Sequence, residues 1–381
     1  AGWLCPAQAG PLPEPNLAAR GLRSLTRADS PLYFAPGYAP RMIPWLIRFT
    51  RNCNRRAYRR GVEALARLGH RTFPVIEQLE ADGVRFELHR RGLVVAAETA
   101  APIASFLAGL EPMRGLGYRI PEKVLSGEEV RELEPLLSSS VGAGALIDEH
   151  WHVDPLTLVN GLANRLREMG VEIEEGVEAL ELDSGNHRRP RLRTSAGERE
   201  TDAVVLAAGA WTASLTASLG FRLPLQAGKG YSFEIEAEAM PHRAVELLDA
   251  YVVFTPLTNR LRVAGTMEFS GINSRLNEAR IEAMVRTAAR TLPSLRVDRV
   301  GRRWTGMRPI VPDGLPVIDR APGHEAVYVA AAFSMLGMTL GPPAGEALAR
   351  QILTGARPAE LEPFRADRWC APWRRPRAAW R

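Results

Sequence analysis

WTGMRPIVPDGLPVIDRAPGHEAVYVAAAFSMLGMTLGPPA, residues 304–344, is the stretch that decides the fold. Arg308 stands among prolines and glycines, and a guanidinium on such a turn would be held stiffly. Its planar fork suits a carboxylate gripped by two hydrogen bonds. A short apolar strand, residues 326–332, follows, and a Gly/Met/Thr loop then opens a helix. A loop entering a helix N-terminus presents unpaired backbone N–H groups to whatever lies above it. One segment would thus hold an acidic substrate and an electron-rich edge. The plain alternative is an ordinary strand, loop and helix carrying a surface arginine.

Working outward, residues 202–209 read DAVVLAAG, a near-continuous apolar run of the kind buried on both faces of a parallel sheet. Before it, Asp154 as N-cap and Pro155 at the first position open a helix with Leu158, Val159, Leu162 and Leu166 inward, closed by Gly170. Short strands are expected at 171–173, 177–182 and 192–194, with turns at DSGN and SAGE. Residues 221–270 alternate as β structure (231–235, 250–254, 261–264). Residues 277–292 follow with Ile281, Met284, Val285 and Ala288 on one helical face.

Toward the start, residues 1–45 read as loop or extended chain, and 44–83 are helical, with Pro74 a break. Residues 85–98 alternate about Arg90-Arg91-Gly92 and suggest two paired strands. Ser126 and Glu129 form a capping box ahead of Val130, Leu133, Leu136 and Leu137. Character thus alternates between α/β (about 140–215 and 300–356) and antiparallel β with helix (about 30–135 and 216–299). Two domains, each assembled from separated pieces, account for that order.

The 381 residues allow a sizeable core. The excess of 49 Lys+Arg over 43 Asp+Glu, a net +6, lies largely in the tail 365–381. Cys5, Cys53 and Cys370 are far apart, with no CxxC and no His/Cys pair at metal spacing, so no metal site is expected and a reducing compartment is the default. His150 and His152 read as structural. No apolar run approaches a membrane span, and no signal-peptide pattern opens the sequence.

Four stretches together resemble one family, the FAD-dependent D-amino-acid dehydrogenases within the wider D-amino-acid oxidase (DAO) group. They are VDPLTLVNGLANRLREMGVEI, DAVVLAAGAWTASL, GKGYSFEI, and WTGMRPIVPDGLPVID with SMLGMTLGPPAGEALARQIL. The resemblance implies an α/β fold. In it a Rossmann-like FAD domain (1–30, 136–215 and 300–360) carries a substrate domain of antiparallel β and helix (31–135 and 216–299), with a basic tail at 361–381. Carried over by position, Val177 would lie by the adenine half of FAD. Ala207, Gly209 and Trp211 would follow the dinucleotide. Gly306, Leu336, Gly337, Met338 and Thr339 would bind the cofactor, the last four wrapping the flavin N1/C2 edge. Arg308 would clamp the amino-acid carboxylate, with Tyr231 and then Tyr251 as aids. The implied chemistry is hydride transfer from substrate Cα to flavin N5, giving an imino acid that water hydrolyses.

The family's opening GxGxxG turn is not found. Gly115-Leu-Gly117 has Ile120 at the third glycine position, and Gly142-Ala-Gly144 has Ile147. AGWLCPAQAGPLPEP resembles the sequence just after that unit, so one ~30-residue unit is expected to be missing and a sheet edge exposed. Ala332-Phe333 stands where the family often shows Gly-His. The rival readings are a glycine- or sarcosine-type amine oxidase and an inactive remnant. The expected partner is an amino acid, with quinone or oxygen as acceptor and no nucleic acid. Localisation is expected to be cytoplasmic, with peripheral contact at the inner membrane face allowed by the Trp/Arg tail CAPWRRPRAAWR.

Overall fold

A computed structural model describes residues 1–15, 17, 32–183, 189–295 and 300–370. In chain order its first strands are β1 (Trp3–Leu4), β2 (Leu32–Phe34), β3 (Leu88–His89), β4 (Leu93–Ala97), β5 (Leu125–Ser126) and β6 (Ala143–Ile147). Then come β7 (Trp151–Val153), β8 (Ala179–Asp183), β9 (Arg191–Thr194), β10 (Gly197–Glu200), β11 (Val204–Leu206) and β12 (Gln226–Glu236). The last six are β13 (Ala244–Leu247), β14 (Val252–Leu257), β15 (Arg260–Phe269), β16 (Val300–Ile310), β17 (Val317–Arg320) and β18 (Val327–Ala331). The α-helices are α1 (Ala39–Asn52), α2 (Arg55–Gly69), α3 (Thr72–Ala81), α4 (Ala100–Arg114) and α5 (Gly127–Leu133), then α6 (Pro155–Glu168), α7 (Thr212–Ser218), α8 (Glu278–Thr291) and α9 (Gly337–Thr354).

Two sheets organise the molecule. The large one runs β16-β12-β15-β14-β13-β4-β6-β5, with β2 also pairing β15. Its alternation is clean where it meets α8: Phe233, Ile235, Leu261, Val263 and Phe254 pack on Ile281, Met284 and Ala288. Each such fully buried side chain stabilises by roughly 1.5–3 kcal/mol. The smaller sheet, β11-β18-β17, sets β11 parallel to β18. Ile318 and Tyr328 face Leu340, Ala344 and Leu348 of α9, while Val317 and Val329 pack toward Leu206 and Leu215.

Local signals explain the helix starts. Ser126 accepts from Glu129 N while the Glu129 carboxylate takes Ser126 N, closing the capping box. Asp154 accepts from Leu156 N ahead of Pro155, and its buried carboxylate pairs with Arg260 at 2.5 Å, joining α6 to the large sheet. At Gly161 a Cβ would stand 2.2 Å from the Arg85 carbonyl oxygen, so α6 packs there on bare backbone.

Several expectations are corrected. Arg308 is not on a turn but inside the eleven-residue strand β16. Residues 143–147 and 300–310, expected with the flavin side, hydrogen-bond into the large sheet. The strands about Arg90-Arg91-Gly92 do not pair with each other: β3 joins β7 and β4 joins β6. Residues 171–173 are not a strand, Pro74 lies within α3, and α4 and β10 went unforeseen. Val159 and Leu166 are exposed, and β11 is not buried on both faces, since Val205 is 43% exposed. β11 has a strand on one side only among the described residues. The DSGN turn and residues 371–381 of the tail lie outside the described residues.

His150 and His152 are buried, and neither nitrogen of His150 has a hydrogen-bond partner among the described residues. Burial pushes the His150 pKa down to about 3 and that of His152 to about 4, the latter also through the His89 charge. Their folded values lie below the unfolded ~6.5, so the stability they contribute is full above pH ~6.5 and is lost as pH falls toward the folded values. Urea unfolding from pH 7 to 5 should show stability falling by about 2 kcal/mol per histidine in all, nearly all of it below pH ~6.5. His150→Phe should make that dependence shallower, and an unchanged slope would contradict it.

Candidate functional site

β16 lies antiparallel to β12 with Arg308 opposite Gly228. The guanidinium rests over Gly230, where a Cβ would come within 2.4 Å of Nη2, so any side chain at 230 would evict it. Nη1 donates to the Thr266 carbonyl at 2.7 Å. No carboxylate pairs with Arg308 among the described residues. Burial, then the nearby Arg280 charge, lowers its pKa to about 10.

Behind this face lies a second charged group. Lys229 Nζ meets Glu268 Oε1 at 2.8 Å, the Tyr231 hydroxyl donates to Glu268 Oε2 at 2.6 Å, and Arg280 Nε stands 3.9 Å from that oxygen. Among the described residues Lys229, Arg280 and Arg308 lie near the carboxylate of Glu268, and cations in so poorly hydrated a place favour an anionic ligand.

Tyr231 is turned away from Arg308. Adjacent strand residues point to opposite faces. Gly230 opens toward Arg308, so Tyr231 packs with Phe233 and Ile281 on the α8 side. Its hydroxyl serves Glu268, and the expected contact with the substrate carboxylate is corrected. Tyr251 comes closer. Its carbonyl accepts from Thr266 N, the residue whose own carbonyl holds Arg308, and its ring is 64% exposed.

The other wall is the loop from β18 into α9. Ser334 N donates to the Pro309 carbonyl at 2.9 Å, tying this loop to the residue after Arg308. Four non-glycine residues around the site have left-handed backbone: Tyr251 (φ 51°), Thr266 (57°), Ala332 (63°) and Ser334 (52°). Such strain costs on the order of 1–3 kcal/mol per residue and concentrates at functional sites. At Ala332 glycine would adopt that backbone freely.

Among the described residues the N–H groups of Gly337, Met338 and Thr339 make no hydrogen bond, while Leu340 N already reaches Leu336 O. The open end of an 18-residue helix thus faces outward with its partial positive charge. The Met338 and Thr339 side chains point inward. Met338 packs beside Leu4, Ile76 and Val153. The Thr339 hydroxyl accepts from Cys5 N and donates to Trp3 O, both at 3.1 Å, which fixes β1 to α9. The Pro309–Ser334 hydrogen bond thus sets the strand that carries Arg308 beside the loop that opens α9.

A groove of about 480 Å³ is lined by Val205, Ala207, Gly209, Pro309, Gly341 and Gly345 among others. A Cβ at Gly341 or Gly345 would meet nothing within 4 Å, so the chain's own packing does not require these two glycines, whereas Gly209 (φ 54°) serves its left-handed turn. Trp211 is exposed at the end of the turn that Gly209 begins. Gly306 is otherwise engaged, since the Trp304 indole fills its open side. Val177 lies on the connection between α6 and β8 and does not line the groove. Sequence reasoning missed Thr266, Gly341, Gly345 and the alternating Gly228/Gly230, whose period-two spacing was the available signal.

Relatives share this plan. The chain is 29% identical over 366 residues to a D-amino acid dehydrogenase of Rhizorhabdus wittichii, covering 94% of this chain and 87% of that protein. It is 30% identical over 393 residues to a D-amino-acid oxidase of Bradyrhizobium diazoefficiens, covering 97% and 88%. Among solved structures, glycine oxidase from Geobacillus kaustophilus superposes with a TM-score of 0.71 at 25% identity, over 80% of this chain and 82% of that one. The family described as FAD dependent oxidoreductase (DAO) matches residues 19–351, and the chain belongs to it.

Proposed function

We propose that this protein oxidises a D-amino acid to the imino acid, which water converts to a 2-oxo acid and ammonia, with FAD as cofactor. The observation that carries the reading is Arg308: a recessed guanidinium without a carboxylate partner among the described residues, on a strand tied through Pro309 to the loop that opens α9. The groove fits the cofactor, because Gly341 and Gly345 leave room unused by the chain itself. Ala207, Gly209, Gly341 and Gly345 would hold the dinucleotide. The N–H groups of Gly337, Met338 and Thr339 would meet its electron-rich edge. When bound, FAD supplies the two-electron oxidation of the substrate Cα–N bond.

The protein's own part is positioning. Arg308 anchors the carboxylate, the Thr266 carbonyl fixes the guanidinium plane, and Tyr251 borders the entrance. No His or Ser nucleophile is needed. Three cysteines far apart in the sequence, with no CxxC, support a reducing, cytoplasmic setting, and the proposed reaction suits amino-acid breakdown.

The test is spectroscopic. Purified protein should show flavin absorption, and D-alanine should bleach it under anaerobic conditions while L-alanine leaves it unchanged. Bleaching by sarcosine with D-alanine inert would replace this reading by the amine-oxidase one. A colourless protein that FAD cannot reconstitute would end both.

A further inference from the structure

Glu246 stands on β13 between Val245 and Leu247, which pack toward α8, so its side chain lies on the opposite face of the large sheet. Arg308 lies on that same face, because the Gly230 it rests over opens away from α8. Other carboxylates of this sheet are matched with cations, Glu234 with Arg260 and Arg262, and Glu268 with Lys229. Among the described residues Glu246 joins no ion pair. Gln8 Nε2 donates to its Oε2 at 3.3 Å, a long bond from a neutral amide, and its Oε1 accepts none among the described residues. Burial pushes its pKa up to about 7, with the Gln8 hydrogen bond only partly opposing. A carboxylate taken from water without a cation costs free energy that an apolar residue would avoid. A cation supplied from outside the chain accounts for its place.

The floor between the two charged groups is made of small side chains. Glu246 pairs with Val253 and Val253 with Ala264, and two residues further along β15 the Thr266 carbonyl holds the Arg308 guanidinium. The start of the chain runs over this face: Trp3 Nε1 donates to Thr255 Oγ1 at 2.9 Å, and Cys5 packs beside Val95 and Ala244. Glu246, Val253, Thr266 and Arg308 are all half-buried, so this overlying segment does not seal the strip they form. Two strands across and two residues along give a backbone diagonal of about 12 Å between Glu246 and Thr266. A lysine-length molecule spans roughly 7 Å from carboxylate carbon to terminal nitrogen. A hydrogen bond of about 2.9 Å at each end brings its reach to about 13 Å.

We infer that Glu246 forms the side-chain end of the substrate site and selects an amino acid whose side chain ends in an ammonium or guanidinium group, of lysine or arginine length. This rests on the carboxylate role proposed for Arg308. The substrate's α-amino group is not the cation concerned, since it stays within about 2.5 Å of the carboxylate carbon that Arg308 holds. A metal ion fits less well, because no group of three or more His, Cys, Asp or Glu is placed to hold one among the described residues. The apolar floor of Val253 and Ala264 suits the methylene stem between the two charges.

Calorimetric titration of the full chain, supplied with FAD, with 6-aminohexanoate and with hexanoate tests it. Both offer Arg308 a carboxylate, only the first carries an ammonium at lysine length, and neither has an α-amino group to be oxidised. The expected result is that 6-aminohexanoate binds about tenfold or more tightly than hexanoate. Glu246→Gln, which keeps the shape of the side chain, should erase that difference. In turnover the same variant should lower the kcat/KM ratio of D-lysine to D-norleucine by about tenfold or more. If Glu246→Gln does not fold, Glu246→Asp takes its place, and the preference should shrink because the shorter side chain withdraws the charge. Equal binding of both probes by the unaltered protein would overturn this inference and leave the Arg308 role standing. Binding of neither would overturn both. A preference undiminished in the Glu246 variants would give the ammonium to another group and remove Glu246 from the site.

Discussion

Arg308→Ala should lower kcat/KM for the amino-acid substrate by about 30- to 5,000-fold, the equivalent of roughly 2–5 kcal/mol for truncating one partner of a recessed charge pair. The size follows from the surroundings. The guanidinium sits over the bare backbone of Gly230 and its one hydrogen bond among the described residues is to the Thr266 carbonyl, so the remaining donors of its fork are available to a carboxylate. No described cation replaces it on that face, since Lys229 and Arg280 are engaged with Glu268 behind the sheet. Arg308→Lys should recover only part of the loss, because an ammonium cannot grip both oxygens in one plane. Steady-state kinetics with an artificial electron acceptor measure the effect. Most of it should fall on KM, with the flavin spectrum unchanged. Unaltered KM in Arg308→Ala would remove the carboxylate role.

Lys229→Met should destabilise the fold by about 3 kcal/mol, as expected for breaking a buried ion pair from one side. Lys229 is 2% and Glu268 4% exposed. Burial acts to raise the Glu268 pKa, yet hydrogen bonds from Lys229, Ser270 and Tyr231 hold the carboxyl below its usual range. Removing the ammonium strips Glu268 of its nearest cation and deprives Asn273 Oδ1 and the Arg275 carbonyl of their donor. Arg280 at 3.9 Å and the Tyr231 hydroxyl remain, which keeps the loss from being larger. The double variant Lys229→Met/Glu268→Leu should regain much of the stability, since two apolar groups leave no uncompensated charge. Urea unfolding at pH 7 reads both, and a single-variant loss below about 1 kcal/mol would refute the account.

What the letters revealed was chemistry at short range. The capping box at Ser126, the Asp154-Pro155 helix start, and the strand–loop–helix from Val327 to Thr354 are all set by neighbours within a few positions. Arg308 was identified as the carboxylate candidate, yet its setting was misread. Pro309 and Gly306 suggested a turn, whereas pairing with a strand some eighty residues away keeps the segment extended. Tyr231 failed for a related reason. Which face a strand residue occupies depends on what lies on either side of the sheet, and an irregularity between Lys229 and Tyr231 obscures the count further. β3 and β4 are joined by a likely-looking turn but belong to different sheets, and only long-range partners decide that. The strained backbone at Thr266 and Ser334 left no mark in residue type at all.

β11 has a consequence outside catalysis. Its peptide groups at Val204–Leu206 are held extended by β18 on one flank, and on the other, where no described strand pairs with them, they offer donors and acceptors at regular spacing. The small sheet thus behaves as an unfinished template: a further extended segment laid there would lengthen it by one strand and wall the groove beside Gly209.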